Sequence, residues 1–347
     1  MEVATVNSPL EKLVSLQEFP QIKRRRALRF DFLRTCYARL TNNNIAFKKM
    51  NRTYIDALNE ITLPAISTVE KRVIDDLKSN GIAFADFSEF FSANFFNVIQ
   101  DCFYTYQAEF NRNNTSAKSG KGAYLDTVHK AHTFIKNDSA SAYLSEPAFA
   151  HIASQYMSMI PRFVGSSFWH TRVATGCDRI YSQLWHRDYN DRMLVKIFLY
   201  ITDVGPQEGY LEYVTGSHGR GPLGQKFDRI GSDGYRAYPN NMEVDKLVAK
   251  LPVIKLNTLN STQKNGHSAP WSNKPSVIQC IAPKATLIFA DTFGLHRGGF
   301  VQEGHRDMIM ITYSTHFNIH KPHFSVSQGF ANELNPFMRM AFGISAK

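Results

Sequence analysis

Hydrophobic and polar positions follow two different rhythms, and the change falls near residue 165. Before it, apolar residues recur at helical spacing; after it, short runs rich in Ile, Val, Phe, Tyr and Thr are separated by turn signals. In the first part Ala27, Phe30, Leu33, Tyr37 and Leu40 make one stripe, with Arg25, Asp31, Thr35 and Arg39 off it. A helix is therefore predicted within 10–60, broken at Asn42-Asn43-Asn44, with a second around 54–58 that Pro64 stops. Ser67-Thr68-Val69-Glu70 has the form of a capping box, Val73, Ile74 and Leu77 supply an apolar face, and Asn80-Gly81 is a stop signal. A short strand over 82–87 and helices over 95–110 and 147–159 complete the first part.

The second part predicts strands over 168–175, 180–188, 194–203, 209–215, 276–281, 285–291 and 307–317. Short strands without regularly alternating helices point to a sandwich or barrel, not to a parallel α/β sheet. Residues 218–275 interrupt the series with one helix over 243–251 and polar stretches such as Asn260–Gly266. An insertion of that length inside a domain is expected to be a lid or another functional element.

Composition narrows the class. Of 347 residues, 43% are hydrophobic and 20% charged, which excludes a disordered chain and allows a full core without disulfides. Cys36, Cys102, Cys177 and Cys280 stand singly, with no C-x-x-C pair. That excludes a zinc ribbon or a thioredoxin-type site and points to a reducing, cytoplasmic compartment. Residues 1–5 show no start of a signal peptide, and no apolar run reaches membrane-spanning length.

The net charge is +10, which favours an anionic partner. Residues 1–66 hold eleven Lys/Arg against six Asp/Glu, centred on Lys23-Arg24-Arg25-Arg26. This cluster reads either as a solvated helix face or as a docking surface for an acidic partner.

The chemistry concentrates at Trp185-His186-Arg187-Asp188. Alternate residues of a strand face one way, so His186 and Asp188 present an imidazole and a carboxylate to one point. A lone H-x-D is more often a buried histidine bonded to an acid. A third group changes this: His296 follows the apolar strand Thr286-Leu287-Ile288-Phe289-Ala290-Asp291 and precedes Gly298-Gly299. Two histidines and one carboxylate make the facial triad of non-haem Fe(II) oxygenases, which leaves three positions open. Ten residues further on, Arg306 heads the next strand, and its planar fork suits a carboxylate. His305 would destroy that spacing if it were the ligand, so His296 is preferred.

His186-x-Asp188, His296 and Arg306 resemble the Fe(II)/2-oxoglutarate-dependent dioxygenases, and specifically their phytanoyl-CoA dioxygenase-like (PhyH) branch. Leu194–Val204 is similar to the strand after the H-x-D in that branch, and Gly209–His218 to its G-x-L-x-x-x-x-G-S-H segment. The likeness covers roughly residues 66–320. Two departures are Tyr210, where the branch often has proline, and the 218–275 insertion, which separates the two histidines.

The resemblance implies an α+β chain with a mainly β core, a double-stranded β-helix (cupin or jelly-roll) with flanking helices. The helical segment 1–65 lies outside the likeness and is read as an N-terminal extension; a dioxygenase domain is expected over 66–335 with the lid at 218–275, and a C-terminal tail over 336–347. Fe(II) would bind His186, Asp188 and His296, with 2-oxoglutarate as co-substrate, its far carboxylate on Arg306, and O2 as oxidant. Succinate and CO2 would be released and the substrate oxidised, with hydroxylation the default. Related halogenases lack the carboxylate, so Asp188 disfavours halogenation.

Lys196, Gln183, Phe198, Trp169 and Lys130 fall in stretches that resemble co-substrate lining. Lys196 ranks first because a lysine in an apolar strand needs a partner charge. Trp185, Tyr189 and Arg192 border the expected metal mouth as substrate contacts. The expected substrate is a small, anionic metabolite or natural-product intermediate, with neither membrane nor nucleic acid as partner. The alternatives are the same chemistry on a macromolecule docked by the basic N-terminal helices, or an inactive jelly-roll binding protein.

Other motifs carry less. Gly219–Gly224 matches G-x-G-x-x-G formally, but Pro222 and the lack of a following helix make it a loop. His316, His320 and His323 lie around Pro322 and read as an exposed segment, and His218 reads as structural.

Overall fold

The structure is a computed structural model that describes residues 3–4, 44–113, 120–173, 179, 181–188, 191–224, 241–256, 274–316, 318 and 321–344. Of the helical stretch expected within 10–60, residues 10–43 with the basic cluster lie outside these residues, as does much of the insertion.

Nine α-helices are described: α1 (Asn44–Met50), α2 (Arg52–Glu60), α3 (Thr68–Asn80), α4 (Ala93–Asn113), α5 (Ser139–Leu144), α6 (Pro147–Met157), α7 (Asn241–Val248), α8 (Gln328–Ala331) and α9 (Pro336–Ala341). The strands are β1 (Val3–Ala4), β2 (Ile82–Asp86), β3 (Leu125–Lys130), β4 (Thr133–Phe134), β5 (Arg162–Arg172), β6 (Leu194–Tyr200) and β7 (Glu212–Val214). They continue as β8 (Val253–Lys255), β9 (Val277–Gln279), β10 (Thr286–Asp291), β11 (His296–Arg297), β12 (His305–Ser314) and β13 (Ser325–Ser327).

Helix α3 forms as its sequence dictates. Ser67 Oγ accepts from the Glu70 N–H at 3.2 Å, and Glu70 Oε2 accepts from the Ser67 N–H at 2.8 Å, closing the capping box. Gly81 ends the helix at φ +80, a conformation that favours glycine, and donates to Leu77 O. Ser67→Ala removes one of these bonds and is expected to cost about 1 kcal/mol, read as a lower urea midpoint. An unchanged midpoint would contradict the assignment.

The large sheet has the order β2-β10-β6-β12-β5-β3 and is antiparallel throughout. The small sheet runs β11-β7-β9-β8, and His186 bridges to His296 at the β11 end. From β5 to β12 the chain winds between the two. It passes from β5 to the His186 bridge, to β6, to β7 and β9, to β10, to β11 and to β12. This interleaving is a double-stranded β-helix. A minor sheet, β1-β13-β4, stands beside β5, where His323 bridges to Gly165, and Phe134 and Val326 join the helix-side core.

Alternation along the strands separates two cores. On β6, Val195, Ile197 and Leu199 face the helices, where Val73, Leu77, Ile99, Phe103, Phe149 and Ile152 are buried with them. Phe198 and Tyr200 face the other way, into a cluster with Tyr213, Ile278, Ile288, Ala290, Met308 and Met310, drawn from both sheets. The site therefore opens from an apolar interior whose walls are fixed on the outside by packed helices. Each fully buried aliphatic or aromatic side chain contributes roughly 1.5–3 kcal/mol to holding those walls.

Four expectations change. Of the strand expected over 180–188, the described residues 181–188 form none: a 3-10 turn at Tyr181–Gln183 precedes the single bridge at His186. Strand β5 begins at Arg162, earlier than expected, because Gly165 and two serines masked its apolar pattern. Strand β3 was not foreseen, since Leu125-Asp126-Thr127-Val128-His129-Lys130 is half polar. Residues 336–341 form α9 instead of a tail, and Phe337, Met338, Ala341 and Phe342 are buried in the helix-side core.

The insertion is partly scaffold. Strand β8 extends the small sheet, parallel to β9, and Val244 and Val248 of α7 pack with Trp185, Val214 and Leu295.

Candidate metal and co-substrate site

His186 and His296 are held by each other's backbone. The His186 N–H donates to His296 O at 2.9 Å, and the His296 N–H to His186 O at 3.0 Å. This pairing brings the two imidazole centroids to 4.2 Å. Nδ1 of His186 lies 2.8 Å from Leu184 O, and Nδ1 of His296 lies 2.9 Å from Gly294 O. A carbonyl only accepts, so each ring carries its proton on Nδ1 and has its lone pair on Nε2, the atom that can ligate a cation.

The Asp188 N–H donates to Thr292 O at 2.9 Å, which sets its side chain beside the histidines. Its Oδ2 lies 3.7 Å from His296 Nε2. One ligand atom from each of His186, Asp188 and His296 falls within 4.8 Å of the other two, the spacing of three donors around one ion. Among the described residues, this is the one such group of three.

Electrostatics keep the donors in ligating form. Burial, and then the neighbouring His186, push the His296 imidazole down to about 3, so it is neutral at ordinary pH. Burial alone would raise Asp188, but Lys196 and the two histidines outweigh it and hold the carboxyl well below its usual range. Lys196 Nζ donates to Asp188 Oδ2 at 2.6 Å.

A buried network fixes the turn that carries His296. Asp291 Oδ1 accepts from the Phe293 N–H at 3.0 Å and Oδ2 from Tyr156 at 2.6 Å, while Tyr213 donates to Asp291 O at 2.9 Å. The Leu295 N–H donates to Ser217 Oγ at 2.7 Å, which gives the G-S-H segment its role. A Cβ at Gly294 would stand 2.0 Å from Tyr213 Oη, so only glycine fits that turn. His218 is buried with Nε2 3.3 Å from Lys78 O and belongs to this scaffold. Of these supports, Tyr213, Ser217 and His218 lie in the segment Gly209–His218 that the sequence singles out, whereas Tyr156 and Asp291 carry no sequence signal of this role.

Arg306 faces the same interior from the start of β12. It is 4% exposed, and Nη1 donates to Gly209 O. Its Nε has no hydrogen-bond partner, and no ion pair is formed with it among the described residues. The surroundings are glycine-built: a Cβ at Gly299 would stand 2.3 Å from the Gly209 carbonyl carbon, and one at Gly298 3.8 Å from Arg306 Nη2. The hydroxyls of Tyr124 and Ser182 meet at 3.1 Å nearby, and Tyr124 is close enough to Arg306 to affect its charge. A guanidinium this deeply buried, with an unused donor and no acid beside it, calls for an anion.

The remaining expected contacts divide. Phe198 is buried in the inner cluster, across from Ile288 and Met310, and Trp169 packs on the same cluster opposite Met308. Gln183 is buried in the turn before His186. Lys130 is exposed on β3, at the sheet edge, paired with Ser167.

Trp185 and Arg192 are not at the mouth. Trp185 is buried beneath α7, with the Arg297 guanidinium 4.4 Å from its ring. At the His186–His296 bridge the chain is locally extended, so the residue before an inward His186 points outward. The Arg192 guanidinium lies 5.3 Å from the Phe47 ring of α1. Tyr189 lies outside the described residues. His316, expected in an exposed segment, stacks on Tyr54 at 3.2 Å, whereas His323 is exposed and His320 is outside the described residues.

No family model and no curated protein matches this chain. Among solved structures it is similar to EctD from S. alaskensis with bound Fe, at a TM-score of 0.48 and 12% identity over 82% of this chain and 88% of that one. It is also similar to SnoK, a non-heme alpha-ketoglutarate-dependent carbocyclase from nogalamycin biosynthesis. That match has a TM-score of 0.45 and 15% identity over 79% and 95% of the two chains. A third is SnoN, an epimerase of the same biosynthesis, at a TM-score of 0.43 and 12% identity over 71% and 82%.

Proposed function

We propose that this chain is a non-haem Fe(II)- and 2-oxoglutarate-dependent oxygenase, of the phytanoyl-CoA dioxygenase-like kind, that oxidises a C–H bond of a small anionic metabolite. The observation that carries this reading is a pair: three convergent donors, and on the same interior a buried arginine with an unused N–H. The three donors alone would suit several divalent metals. Arg306 adds the requirement for a co-ligand with a distant carboxylate.

Bound together, the iron and 2-oxoglutarate supply O2 activation coupled to loss of CO2, leaving succinate and an oxidised substrate. The protein's own part is positional and electrostatic. His186 and His296 offer fixed Nε2 lone pairs because their Nδ1 protons are committed to Leu184 O and Gly294 O. Asp188 contributes the one negative charge of the triad. Arg306 takes the far carboxylate of the co-substrate through charge-assisted hydrogen bonds. Phe198, Met308 and Met310 keep the interior apolar, which strengthens those bonds by excluding water. Among the described residues no helix is long and apolar enough to cross a membrane, and the substrate is taken as a small molecule.

The reading is tested by screening small carboxylated and phosphorylated metabolites for succinate release that requires Fe(II), 2-oxoglutarate and O2 together. The expected result is metal-dependent release above the substrate-free background for one chemical class. Succinate formation that proceeds equally in excess chelator would refute it.

A further inference from the structure

The reach of Lys196 into the triad poses a conflict that the proposed function leaves unresolved. Strand β6 points Lys196 to the same face as Phe198 and Tyr200, toward the interior and away from solvent. Its side chain is 15% exposed and that of Asp188 19%, so the ammonium and carboxylate meet largely out of water. Across the sheet Lys196 is in register with Ala290 on one side and Thr312 on the other, and neither supplies a charge. Its one ion pair among the described residues is with Asp188. The oxygen involved is Oδ2, the atom that also stands 3.7 Å from His296 Nε2.

We infer that Lys196 and the divalent cation compete for Asp188, so that this lysine weakens metal binding on its own and makes tight binding depend on 2-oxoglutarate. The charges give the reason. Asp188 and Lys196 cancel, and a histidine that gives its Nε2 lone pair to a metal does so as an uncharged ring. A divalent cation adds two positive charges to an interior that already holds the ammonium of Lys196 and the guanidinium of Arg306. In a poorly solvated site like charges at this range repel strongly. 2-Oxoglutarate is a dianion, and its arrival adds two negative charges that offset the cation's and offers Lys196 a second acceptor. The lysine is a positioning residue acting through Asp188, and its effect is order: co-substrate and metal load together. This rests on the proposed metal and 2-oxoglutarate reading.

The test uses the full chain freed of metal with chelator and titrated with Mn2+, following the free ion by electron paramagnetic resonance, with and without 2-oxoglutarate. Lys196→Met is expected to bind Mn2+ about tenfold or more tightly than the parent when 2-oxoglutarate is absent, an electrostatic gain of the size nearby charges produce. The enhancement given by 2-oxoglutarate should shrink in the same variant. Lys196→Arg, which keeps the charge, should retain the parent's pattern. Lys196→Gln serves as a second neutral variant should the methionine form not fold, as judged by circular dichroism. A folded neutral variant that binds Mn2+ no more tightly than the parent overturns the competition while leaving the metal site intact. Failure of parent and variants alike to bind Mn2+ overturns the metal reading, and this inference with it.

Discussion

Arg306→Gln is expected to raise the 2-oxoglutarate concentration needed for half-saturation by about a hundredfold or more. The guanidinium is 4% exposed, and its described hydrogen bond goes to one backbone carbonyl, Gly209 O. It retains an unused Nε donor and has no carboxylate partner among the described residues. A buried charge in that condition is costly until an anion arrives, and breaking such a pair typically costs roughly 3–5 kcal/mol. At about 1.4 kcal/mol per decade, the loss is two decades or more in affinity. Arg306→Lys should recover only part of it, because an ammonium cannot present the two parallel donors of a guanidinium. Metal affinity measured without 2-oxoglutarate should not fall in either variant. Calorimetric titration with 2-oxoglutarate in the presence of Mn2+ reads both effects, and unchanged affinity in Arg306→Gln would assign the far carboxylate to another residue.

His296→Ala is expected to weaken divalent-metal binding by well over a hundredfold. Removing a group that merely orients a metal ligand costs about 10–100-fold, so removing a ligand itself must cost more. The variant should still fold. His296 sits at the end of a two-residue strand, and the turn before it is held by Asp291, Tyr156 and Tyr213, none of which depends on the imidazole. Its backbone bonds with His186 also survive the truncation. Mn2+ titration together with thermal unfolding separates the two effects. Parent-like Mn2+ affinity in a folded His296→Ala protein would remove His296 from the ligand set.

H-x-D, the second histidine and the arginine ten residues later are local patterns, so the candidate site could be read before the fold, although the strand expected at His186 and Asp188 is a single bridge. The capping box at Ser67 and the stop at Gly81 were legible for the same reason, since helix ends are set by nearest neighbours.

What escaped was non-local. Strand β3 is half polar because it is an edge strand, recognisable only once β5 lies beside it. The last helix, α9, is six residues long, and its burial depends on a cleft built by distant parts of the chain. Trp185 was legible in principle: the alternation that turns His186 inward turns its neighbour outward. The Asp188–Lys196 pair was visible only as a lysine in an apolar strand that needed a partner; which acid answered it required the fold.

The most direct measurement is the visible spectrum of the anaerobic protein with Fe(II) and 2-oxoglutarate. Chelation of the iron by the keto and adjacent carboxylate oxygens, on a centre held by His186, Asp188 and His296, should give a weak charge-transfer band in the parent protein and none in His296→Ala. A parent protein that binds Fe(II) and 2-oxoglutarate yet shows no such band, or a band that survives in His296→Ala, would contradict the account.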